Sequence, residues 1–152
     1  MKMIFLMLVA MLAVGYAEEE RPMLYPFDIS LGENTAVMGE WGDLFAVIEE
    51  PVKADAVLKI EEVAPMLIVN AFPCKDDGTI LMDGAPAAIL FVKDTNMVKL
   101  DATMDGKPLA PGTYLMNVVA HNKTSRVVFT VGEKDKIKLP DFGKLMNFLK
   151  GK

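Results

Sequence analysis

The 152-residue sequence has one cysteine, one histidine and one tryptophan. With Cys74 alone, no disulfide can form within the chain, so its stability has to come from a packed core. With His121 alone, the clustered histidines or cysteines of a zinc site are missing, and any serine or cysteine nucleophile has a single imidazole to serve it. There is no Gly-x-Ser-x-Gly elbow, no glycine-rich phosphate loop, no internal repeat and no low-complexity tract. No apolar run after the first 17 residues approaches the roughly 20 residues that a membrane-spanning helix needs. Together these shortages exclude the common sequence signatures of hydrolases, nucleotide-binding proteins and zinc sites. The chain reads as non-catalytic, with no cofactor expected.

What is present begins with an export signal. Lys2 is a minimal basic start, Met3 to Val14 is apolar, and the small residues Gly15 and Ala17 flank Tyr16. That pattern predicts a secretory signal peptide over 1–17, cut after Ala17, and an exported protein of the periplasm or the extracellular space. The chain length suits one domain. From Glu18 to Gly132 there are 18 acidic and 9 basic residues; from Glu133 to Lys152 there are 3 acidic and 6 basic. An acidic body with a basic tail argues against nucleic acid as a partner.

Turn chemistry divides the mature chain into short pieces. Residues 18–43 read as a lead-in, with a possible edge strand over 27–31 and a loop that folds Trp41 onto the core. Leu44 to Ile48 is a continuous apolar run, as in a strand buried on both faces. Val52 to Ile60 alternates, and Met66 to Phe72, bracketed by Pro65 and Pro73, predicts a central strand. Asp76-Asp77-Gly78 and Asp83-Gly84 mark turns around a bridge over Ile80 to Met82. Ala87 to Val92 predicts a strand stopped by Lys93-Asp94, and Val98 to Met104 a second, half-exposed one.

The strongest pattern lies between Leu109 and Val131. Two alternating arms flank a polar tip, which predicts a hairpin turning on Asn122-Lys123. Val118 then faces Val127, Met116 faces Phe129, and Tyr114 faces Val131, all six on one side of the sheet. Leu115, Asn117 and Val119 line the other side with Thr130, Val128 and Arg126. Seven or eight short strands result, so the expected fold is all-β: a two-sheet antiparallel sandwich over 44–132, followed by a basic tail over 133–152.

Leu109, Pro111-Gly112-Thr113-Tyr114 and the alternating Met116, Val118 and Ala120 resemble the penultimate-strand signature of fibronectin type III and bacterial immunoglobulin-like domains. The resemblance covers about 25 residues. It implies an immunoglobulin-like β-sandwich with a corner tyrosine, although Tyr114 comes one residue earlier than the usual fibronectin spacing. It implies no particular activity, since such sandwiches serve as adhesins, chaperones, inhibitors, copper carriers and spacers.

In the tail, Pro140 can open a short helix with Phe142, Leu145, Met146 and Leu149 at i, i+3, i+4 and i+7. That stripe can pack on the sandwich, dock on a partner or lie on an anionic membrane surface. With His121 and Asn122 at the hairpin tip, these four residues are the candidate partner-binding positions. The expected function is binding or structural interaction, with another envelope or extracellular protein as partner. The alternative is metal handling, in which thioethers of the eight methionines after residue 17 join Cys74 and His121 on copper. Asn122-Lys123-Thr124 also fits the N-glycosylation sequon.

Overall fold

A computed structural model describes residues 24–38, 45–75, 77, 79–100, 107–133 and 141–151. The expectations for the signal peptide, for Trp41, for residues 101–106 and for Pro140 fall outside them. Among the described residues seven strands and one helix follow in order: β1 (Ile29–Leu31), β2 (Asn34–Thr35), β3 (Ala46–Val47), β4 (Val57–Cys74), β5 (Ala88–Lys99), β6 (Gly112–Ala120), β7 (Lys123–Val131) and α1 (Phe142–Lys150).

The chain is β-rich, as the turn spacing predicts, but the two-sheet sandwich is not confirmed. The strands hydrogen-bond as one sheet in the order β2-β1-β4-β6-β7-β3, with β5 on the other side of β4, and the sheet curls into a half-barrel. The reason is the length of β4. Its 18 residues pair with β1 near one end and with β6 near the other, while β5 runs along its opposite edge. A strand that long holds together what separate short strands would have divided between two sheets. An isolated bridge between Val37 and Val47, with two 2.8 Å backbone bonds, links the two ends of the path.

Both segments predicted to stop at charged or proline residues run through them. Val57 to Cys74 is one strand because the register slips between Lys59 and Ala64, and Pro65 lies beyond the β1 pairing and before the β6 pairing. A proline costs a strand little where no ladder bond is required of it. β5 likewise passes Lys93-Asp94: Asp94 takes φ +52 opposite Pro65, and the register slips just beyond it, between Thr95 and Met97.

The hairpin forms one step earlier than expected. His121 and Asn122 are the turn, both at positive φ (52° and 59°), so Ala120 pairs with Lys123, Met116 with Val127 and Tyr114 with Phe129. A two-residue turn that matches strand twist needs positive φ at both central positions, and histidine and asparagine enter that region more readily than lysine. Moving the turn by one residue shifts each pairing by two positions, so the faces are preserved. Tyr114, Met116, Val118, Val127, Phe129 and Val131 all lie in the inner core.

That core fills the concave side of the curl, with Leu31, Leu58, Leu67 and Val69 fully buried beside the hairpin residues. Tyr114 and Phe129 stack there at 5.6 Å between ring centroids. The Tyr114 hydroxyl donates to the Ala110 carbonyl at 2.6 Å, four residues upstream, which is the bond that defines a tyrosine corner. Val52 and Ile60 are buried as their alternation predicts, although the strand starts at Val57. Phe45 to Ile48 is buried on both faces, as its continuous apolar run predicts, and β3 pairs parallel to β7.

Candidate interaction surface

Alternation decides what lies on the outer face. Leu67, Val69 and Ala71 of β4, Leu90 of β5, and Met116 and Val118 of β6 point inward. Their neighbours Met66, Ile68, Asn70 and Phe72, Ile89, Phe91 and Lys93, and Leu115, Asn117 and Val119 therefore point outward, joined by Thr124, Arg126 and Val128 of β7.

One half of this face is covered by the chain itself. Leu145 of α1 is fully buried in a second cluster with Phe45, Val47, Ile80, Leu115 and Val128, and Phe72, Cys74, Met82, Phe148 and Leu149 pack against it. Asp141 caps the helix by accepting the Lys144 N–H at 3.1 Å. Of the predicted stripe, Leu145 is buried, and Met146 and Leu149 are half-buried. Phe148, off the predicted stripe, joins the packing. The Phe142 side chain lies outside the described residues.

The other half is open. Phe91, Ile68 and Val119 form one cross-strand row, with Ile89 and Met66 to either side. Phe91 is 54% exposed, Met66 45% and Ile89 42%. Bordering this row on the helix side is a polar ladder across three strands. Asn117 donates its amide to Asn70 Oδ1 at 3.0 Å and accepts from Arg126 Nε at 3.2 Å. Burial pulls the Arg126 guanidinium below its ordinary value, yet an arginine so placed stays charged. Among the described residues no carboxylate meets it. The outer positions of β4 between 66 and 72, of β5 between 89 and 93, of β6 and of β7 up to Val128 include Lys93 and Arg126 and not one acidic residue. That is notable in a chain of net charge −5.

The predicted tip residues border this platform. His121 and Asn122 line a shallow depression with Pro65, Met66, Ile68 and Val119. On its other side His121 shares a cleft with Phe27, Ile60, Glu61, Glu62 and Lys123. Asn122 is exposed, as the sequon reading requires of an acceptor.

The thiol and the imidazole lie apart. Cys74 pairs with Thr113 at the start of β6, eight residues before His121, which at ~3.3 Å per residue puts the two roughly 26 Å apart. They cannot share one copper ion. Met116 is fully buried in the inner core, Met82 packs on the outer cluster, and Met38, Met66 and Met97 are separate surface residues. Met23 and Met104 are outside the described residues. Burial pushes the Cys74 thiol up to about 12, which keeps it protonated and a poor nucleophile or ligand. The Asp77 carboxylate is held below its ordinary range by the Thr79 N–H at 2.9 Å, as in a turn. Among the described residues no helix is long and apolar enough to cross a membrane.

Reading the sequence missed Ile68, Asn70, Phe91, Asn117 and Arg126 as a set. Asn70 inside the apolar run Met66 to Phe72 was the available signal, because a strand buried on both faces has no place for an amide in mid-run. No family model matches the chain, and neither a curated protein nor a solved structure matches it.

Proposed function

We propose that the protein is an exported, non-catalytic interaction module of the cell envelope, with an immunoglobulin-like hairpin at its centre, and that it holds an acidic, partly apolar partner protein on the open half of the outer face. The observation that carries this reading is the row Phe91, Ile68 and Val119 beside the Asn70–Asn117–Arg126 ladder. Exposed apolar side chains on a rigid strand platform mark interaction sites. A half-desolvated arginine that meets no carboxylate among the described residues gives that platform a sign, and a partner carboxylate would satisfy it with charge-assisted bonds. Export is supported by Lys2, the apolar run from Met3 to Val14 and the Gly15-Tyr16-Ala17 ending.

Two measurements test the proposal. Intact mass of the protein recovered from its host envelope should place the N-terminus at Glu18; an uncleaved chain in the cytoplasm would sink the export reading. Capture from that envelope should then yield a partner with the unmodified protein and lose it with Arg126→Glu and with Ile68→Lys, both folded by circular dichroism. The same proteins captured by all three would refute the surface.

A further inference from the structure

We propose that two copies of this chain pair edge to edge through the Ala88–Val92 half of β5, antiparallel and centred on Leu90. This does not depend on export or on the partner above.

Among the described residues β5 makes its ladder only with β4, and no backbone bond reaches its other edge. Free edges in natural sheets are protected by charge, proline or a bulge. Here that protection covers one half of the strand. Lys93, Asp94 at φ +52, Thr95 and Asn96 guard the second half, whereas Ala88-Ile89-Leu90-Phe91-Val92 has no charge, no proline and no glycine. Ala88 and Leu90 are buried beneath it, and Ile89 and Phe91 stand exposed above. An unguarded apolar edge of this kind calls for another strand.

The sequence of the edge suits a second copy of itself. A two-fold axis perpendicular to the sheet keeps inner residues inner and outer residues outer, so only registers that set a residue opposite itself agree with the pleat. Centred on Leu90, Ile89 meets Phe91 of the partner subunit, Leu90 meets Leu90 of the partner subunit, and Ala88 meets Val92 of the partner subunit. Every apolar residue of the segment then faces another. Lys93 falls opposite Ala87 of the partner subunit, so no like charges are opposed, and Asp94 falls opposite Pro86 of the partner subunit, where a ladder must end. Centring on Phe91 instead would set Ile89 against Lys93. The chosen register also extends each Ile68–Phe91 row onto Ile89 of the partner subunit, so that the two rows lie side by side as one apolar patch across the seam.

Such an interface is small, at the low end of specific contacts, so the dimer should form in the micromolar range. Sedimentation of the protein purified from its host, over ~1 to ~500 µM, should show a monomer–dimer equilibrium. Ile89→Lys and Phe91→Glu alone should each weaken it at least tenfold. Combined, they place lysine opposite glutamate twice and should restore most of the affinity, now sensitive to salt. A monomer across the whole range would overturn the proposal, as would a dimer indifferent to Phe91→Glu. A double variant no better than either single one would overturn the register. Both positions are solvent-exposed, so each variant should fold, which circular dichroism checks.

Discussion

Substituting Leu145 by alanine separates the two uses of the C-terminal helix. Leu145 is 0% exposed among Phe45, Val47, Ile80, Leu115 and Val128, so its truncation leaves a hole between helix and sheet. Burying a leucine side chain is worth about 1.5–3 kcal/mol, and the cavity adds to the loss, for an expected cost of about 2–4 kcal/mol. At this chain length that lowers the melting temperature by about 5–15 °C. Met146→Ala, at a half-buried position, should cost less than half as much, and Lys144→Ala, exposed, almost nothing. Urea unfolding followed by circular dichroism, at constant m-value, gives all three numbers. A cost below ~0.5 kcal/mol for Leu145→Ala would mean that the helix is not docked. The apolar stripe would then be free for a partner or a membrane surface, and the packing argued above would be wrong.

Other expectations follow from single contacts. Tyr114→Phe keeps the stack on Phe129 and loses only the bond to Ala110, so it should cost about 0.5–1.5 kcal/mol in the same assay; no change would mean the corner bond is idle. The combined change His121→Asn and Asn122→Gly supplies the favoured pair for a turn with two positive φ angles, and should stabilise by a few tenths of a kcal/mol or more, whereas His121→Val should destabilise. Cys74 should resist alkylation at pH 8 in the folded protein and react at once in urea, because its thiol keeps its proton up to about 12. For the same reason stability should fall as pH rises from about 9 towards 12: the unfolded chain releases that proton first, so the unfolded state gains. Cys74→Ala should flatten the slope in that window.

The local parts of the fold were legible because they are written in period two. The hairpin faces, the buried run at Phe45 to Ile48 and the alternation at Val52 to Ile60 depend on neighbours along the chain. The turn position was not, because choosing between His121-Asn122 and Asn122-Lys123 depends on which residues accept positive φ, and the faces are identical either way. The single curled sheet was not legible either. It depends on Val57 to Cys74 continuing through Pro65, and that continuity comes from pairings such as Ala64 with Thr95, 31 residues away, and Ile68 with Val119, 51 away in β6. The outer platform was hidden for the same reason, since Phe91, Ile68 and Val119 become one row only after three strands have paired. The tip residues His121 and Asn122 border that platform, while Leu145 of the predicted helix stripe is buried between helix and sheet.

The most direct test of the account is site-specific photocrosslinking in the native envelope. A benzoylphenylalanine placed at Ile68 or Val119 should give a crosslinked adduct with the same second protein, and one placed at Glu33, exposed in the β1–β2 turn away from this face, should give none. An adduct formed at Glu33 and absent at Ile68 and Val119 would contradict the claim that the open outer face is where this protein meets its partner.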